Sequence, residues 1–167
     1  SIGSRTDILY NCLIKSPDNG GDIKVKEYKK NKIKWIATTP SPYVNETSKP
    51  NELHKMVSWF TIFKLKWNFN FHIMDPKKYS LINKKVESRA NTGFASIFDL
   101  LSHNISKLYI TGFSFYLDNF MSGYKDGCER NEKEFAKQCF VSKRHKQEPQ
   151  WRYLKEIFEK DKKIEVD

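Results

Sequence analysis

Asn91-Thr92-Gly93-Phe94-Ala95-Ser96-Ile97-Phe98-Asp99-Leu100-Leu101, with Lys107-Leu108-Tyr109-Ile110-Thr111-Gly112-Phe113-Ser114-Phe115-Tyr116 close behind it, is the stretch whose reading decides the fold. Phe94, Ile97, Phe98 and Leu101 fall at i, i+3, i+4 and i+7, which is one apolar face of a helix. Asn91 or Thr92 stands just ahead of that face, where a side-chain oxygen can cap a free backbone N–H. Gly93 leaves the first turn without a side chain, so a ligand can approach the backbone there. The second half is short, β-branched and aromatic, and it stops at Gly112; it reads as a buried strand. A capped, glycine-opened helix start favours negative charge, through its unpaired N–H groups and its dipole. Taken alone, the same residues favour an ordinary helix and strand of an α/β core.

Upstream, Asp7–Tyr10 reads as a strand or a short element facing a cleft, with Arg5 and Asp7 placed to pair with each other or with a ligand. Residues 16–21 carry every loop signal, and Asp22–Lys30 alternates charge as a surface helix does. Lys32–Pro40 is a strand ended by its proline. Residues 41–50 form a loop, and Asn51–Lys66 is an amphipathic helix with Leu53, Met56, Val57 and Phe60 on one face. Phe69, Phe71 and Ile73 alternate along a further strand, and 76–88 is a basic helix or loop. Downstream, 117–143 is polar and irregular, as in a loop over a cleft. Gln150–Lys162 is a helix with Trp151, Leu154, Ile157 and Phe158 inward, and Ile164–Val166 closes as a strand. This alternation predicts an α/β fold: one Rossmann-like domain over 1–167, a mainly parallel sheet with helices on both faces.

The 167 residues suffice for one α/β domain with a core of its own. Thirty Lys and Arg against 20 Asp and Glu give a net charge of +10, which favours anionic partners such as nucleotides, RNA, sialylated glycans or anionic membrane. The basic residues are spread along the chain, as on a solvated lysine-rich surface. Cys12, Cys128 and Cys139 are far apart, and His54, His72 and His103 lack ligand spacing, so no structural metal is expected. No Gly-x-Gly-x-x-Gly or Walker-type run occurs, which disfavours dinucleotide and P-loop chemistry. No apolar run is long enough to span a bilayer. Asn45-Glu46-Thr47 is a formal glycosylation sequon without other secretory signals.

Three separated pieces, in order, resemble the sialyltransferases. Gly3-Ser4-Arg5-Thr6 before an apolar segment looks like the end of the long sialylmotif. Asn91-Thr92-Gly93-Phe94 through Gly112-Phe113 looks like the short sialylmotif, and Gly112-Phe113-Ser114-Phe115-Tyr116 stands where bacterial members carry Gly-x-Asp-Phe-Tyr. His145 ahead of Gln150–Phe158 looks like the last motif, a histidine a few residues before a glutamate that opens a helix. The pieces span nearly the whole chain, and their order is more specific than any one of them.

The resemblance implies a GT-A-like fold that binds a CMP-sugar donor and transfers sialic acid, or a related sugar, to a glycan hydroxyl without a metal or further cofactor. It assigns donor binding to Asn91, Thr92, Gly93 and Phe94, places Ser4 and Arg5 along the cleft, and makes His145 the base. Imidazole is the side chain whose unperturbed pKa lies closest to neutral. Departures from the pattern set a second expectation. Gln150 replaces the glutamate after the histidine, with Glu148 nearby, and Ser114 replaces an aspartate. The chain also starts after the strand and glycine loop that hold the nucleotide in family members. Either a preceding segment completes the site, or this is a non-catalytic, degenerate transferase fold serving as a structural or RNA-contacting component of a large assembly.

Overall fold

The structure is a computed structural model in which residues 5–13, 23–40, 61–113 and 146–166 are described. Among these residues the protein is mixed α/β, with short parallel strands in two small sheets. The chain divides into two compact units, Ser1–Lys78 and Tyr79–Asp167.

The first unit holds β1 (Ile8–Tyr10), α1 (Val25–Lys30), β2 (Trp35–Thr38), a helical segment at 61–68 (α2), and β3 (Asn70–Ile73). Its sheet has the order β1-β2-β3, all parallel, with Leu9, Ile36 and Phe71 in one cross-strand row. Parallel pairing forces each connection to cross over, and α1 and α2 lie in the two crossovers. The core is the cluster of Tyr28, Ile36 and Leu65, against which Leu9, Ile33, Phe69 and Phe71 pack. Residues two apart on a strand share a face, so the Leu9–Ile36–Phe71 row turns toward the helices. The charge alternation of α1 therefore gave only half its character: Tyr28 is buried, and its hydroxyl accepts from Asn11 Nδ2. α1 is closed just beyond its C-cap Asn31 by Lys32, whose φ of 55° is left-handed, and Ile33 N–H donates back to the Tyr28 carbonyl.

The Arg5 and Asp7 pairing anticipated from the sequence is present. The Arg5 guanidinium bonds Asp7 at 2.8 Å and Lys34 Nζ lies 3.0 Å from the same carboxylate, at the exposed start of β1. Arg5, and then Lys34, hold the Asp7 carboxyl below the usual carboxylate range. A depressed folded-state value contributes stability above the unfolded-state pKa, and that contribution is lost as pH falls through the folded-state value. NMR titration of Asp7 is expected to show this lowered midpoint, and Arg5→Ala or molar salt is expected to raise it toward the ordinary value. A midpoint indifferent to both changes would contradict the pairing.

The second unit contains most of α3 (Pro76–Lys85), then α4 (Thr92–Leu101), β4 (Leu108–Ile110), α5 (Gln147–Lys160) and β5 (Ile164–Val166). β4 and β5 pair in parallel, with Leu108 opposite Ile164 and Ile110 opposite Val166. The expectation of a buried strand running from Lys107 to its stop at Gly112 is corrected here. β4 is three residues long, in a two-stranded sheet, and alternates: Ile110 is buried while Tyr109 is exposed. The chain turns at Gly112, where a φ of 66° suits a residue without a Cβ. Residues 76–85 form a helix, α3, which buries Tyr79 and Ile82.

The loop expectations at 16–21 and 41–50, the polar stretch 117–143, and Leu53, Met56, Val57 and Phe60 of the amphipathic helix lie outside the described residues. No helix among the described residues is long and apolar enough to cross a membrane.

Candidate functional site

The start of α4 is assembled from three helices of the second unit. α3 fixes the residue before it: Ala90 N–H donates to Asn83 Oδ1 at 2.8 Å, and Tyr79 Oη donates to the Ala90 carbonyl at 3.0 Å. Both backbone groups of Ala90 are thus held by side chains of one helix. Asn91 then caps α4. Its extended backbone places Oδ1 2.7 Å from the N–H of Phe94, the N3 position of the helix. α5 holds the cap itself. Asn91 N–H donates to Gln150 Oε1, and Asn91 Nδ2 donates to Gln147 Oε1, both at 3.1 Å.

Gln147 and Gln150 are each at most 1% exposed, so their amides must find partners inside the protein. Gln150 satisfies both ends of its amide, accepting from Asn91 and donating from Nε2 to the Lys146 carbonyl at 2.9 Å. A carboxylate at this position could accept but not donate, which is a physical reason for glutamine here. Glu148, the acidic residue in this turn, is exposed and paired with Arg152 at 2.7 Å.

Aromatic packing completes the junction of α4 and α5. The Phe94 and Phe98 rings lie 4.9 Å apart, and Phe98 stacks on Tyr153 of α5 at 5.4 Å with an 8° interplanar angle. Trp151, expected to point inward, is instead 38% exposed, because the inner face of α5 runs through Gln147, Gln150 and Leu154. The helix also begins at Gln147 rather than Gln150.

The gap left by Gly93 is filled. A Cβ there would stand 2.7 Å from the Phe113 ring, so the ring occupies the space through which a ligand was expected to reach the backbone. The available donors are therefore fewer than the sequence suggested. Asn91 N–H goes to Gln150, Phe94 N–H to the cap, and Ala95 N–H to the Asn91 carbonyl at 2.9 Å. The N–H groups of Thr92 and Gly93, at the first two helical positions, are the ones no described residue engages.

Of the residues singled out from the sequence, Asn91, Thr92, Gly93 and Phe94 are together at this helix start. Phe94 contributes a fully buried ring. Arg5 belongs to the first unit, with its guanidinium committed to Asp7, and Ser4 and His145 lie outside the described residues. The sequence reading missed Gln147 as the residue that grips the cap and took Gln150 only as a lost acid; nothing in a single sequence separates a buried glutamine from a solvated one. No protein-family model, curated protein or solved structure matches this chain.

Proposed function

We propose that this protein is a glycosyltransferase resembling the sialyltransferases, on a GT-A-like fold. The start of α4 would receive the anionic part of a CMP-sugar donor, and His145 would act as base toward a glycan hydroxyl. One observation carries this reading. Asn91 is bonded to Gln147 and Gln150, residues 56 and 59 positions away. These are the two stretches that the resemblance assigns to donor binding and to catalysis, and Gln147 follows His145 by only two residues in sequence.

The chemistry agrees with the assignment. A phosphate or carboxylate suits the N–H groups of Thr92 and Gly93, which no described residue engages, at the positive end of a helix dipole. The cap's own hydrogen bonds fix those groups before a ligand arrives, which lowers the ordering cost of binding. An imidazole can take the acceptor hydroxyl's proton near neutral pH.

Isothermal titration with CMP tests donor recognition: heat is expected, and CMP-sialic acid is expected to compete. His145→Ala is expected to lower turnover by about 10²–10⁴-fold while leaving CMP affinity little changed. Absence of CMP heat, or equal loss of affinity and turnover, would contradict the assignment.

A second reading rests on the exposed Glu148–Arg152 pair and the buried Gln150, which leave no free acid on the first turn of α5. In that reading the fold is non-catalytic and contacts RNA within a larger assembly. It requires RNA binding that weakens steeply with salt, together with no response to CMP.

A further inference from the structure

α2 packs on the first unit through Leu65, which is fully buried beside Tyr28 and Ile36. At 3.6 residues per turn, Phe63 and Trp67 lie adjacent on the opposite side, with Lys66 on one flank and Lys64 on the other. Trp67 is 81% exposed and Phe63 66%. Their centroids are 6.3 Å apart at an interplanar angle of 32°, so the two rings lean together as one projecting ridge. Two large apolar side chains held in water in this way contribute nothing to the core of the unit.

We propose that this ridge docks on an anionic lipid bilayer surface. The order Lys66, Phe63 and Trp67, Lys64 across the outer face is an apolar strip between two cations, the pattern of a helix lying in the interfacial plane. Tryptophan prefers the headgroup level, and lysine stems reach sideways so that their ammonium groups meet phosphates. Lys66 already leans back along the surface, with Nζ 5.8 Å from the centre of the Phe71 ring. The net charge of +10 adds long-range attraction to an anionic leaflet. Single-stranded nucleic acid fits the ridge less well, because the two rings are inclined at 32° and present no common plane along which successive bases could stack. This inference is independent of the donor site and holds whether or not the protein binds CMP.

Sedimentation of the full chain with vesicles tests it, comparing phosphatidylcholine alone with phosphatidylcholine containing phosphatidylserine. Binding to the anionic vesicles is expected, with little to the neutral ones. The double variant Phe63→Ser, Trp67→Ser is expected to bind at least about tenfold more weakly. Lys64→Gln and Lys66→Gln are each expected to cost roughly fivefold, from about 1 kcal/mol per lysine near the surface. All four side chains are exposed, so circular dichroism of each variant should match the parent. Anionic binding that is absent, or unchanged in the Phe63 and Trp67 variant, would overturn the proposal. So would a single-stranded oligonucleotide that binds the parent and loses its binding in that variant.

Discussion

Gln150→Glu is expected to keep near-parental stability at acid pH and to lose up to about 4 kcal/mol at neutral pH. The side chain at this position is fully buried, accepts from Asn91 N–H and donates to the Lys146 carbonyl. A protonated glutamic acid can reproduce both bonds, the O–H replacing Nε2 as donor. An ionised one cannot: it loses its water and places negative charge against a carbonyl oxygen. The variant's folded-state pKa is therefore raised above the unfolded-state value of about 4.3. The sign follows: its stability is fully present below the unfolded-state value and is lost as pH rises toward the folded-state one. Keeping the acid protonated at pH 7 costs about 1.36 kcal/mol for each unit above 4.3, which sets the upper figure. Urea unfolding of variant and parent at matched pH values reads the difference directly. A deficit that is flat from pH 4 to 7 would mean that this side chain is solvated rather than locked between the two helices.

Phe94→Ala is expected to cost about 3–5 kcal/mol, measured by the same urea unfolding. Phe94 is fully buried, and its ring faces both Phe98 at 4.9 Å and Tyr153 at 6.5 Å. Deleting it leaves a cavity in the first turn of α4, where Phe98 and Tyr153 are already stacked and have little freedom to close it. Phe94→Leu keeps most of the volume and is expected to cost less than about 1.5 kcal/mol. Similar losses in the two variants would place the cost in something other than the cavity.

The contrast between these two residues shows what a single sequence exposes. Phe94 was legible because helical periodicity marks an apolar face, and Asn91 was legible because a capping side chain has a fixed place before that face. The parallel strands at Ile8–Tyr10, Trp35–Thr38 and Asn70–Ile73 were legible for a related reason: short aromatic and β-branched runs stop at turn or proline signals. Gln147 and Gln150 were not legible, since a polar residue is normally assigned to the solvent side of a helix. That assignment rotated the expected inner face of α5 toward Trp151. Tyr109 was misjudged because an apolar run carries no record of how many strands flank it, and among the described residues β4 has only β5 as its hydrogen-bonded neighbour. Phe113 filling the space beside Gly93 is a long-range contact that no local pattern encodes.

The reading of α4 as a donor site makes one demand that structural capping does not make: the amides of Thr92 and Gly93 must respond to the donor. Amide NMR spectra of the labelled protein, recorded while CMP is added, test this at the residues concerned. The N–H resonances of Thr92 and Gly93 are expected to shift with saturation, while that of Phe94, already bonded to Asn91, moves much less. Saturable CMP binding that leaves Thr92 and Gly93 unmoved, or no binding at all, would contradict the account.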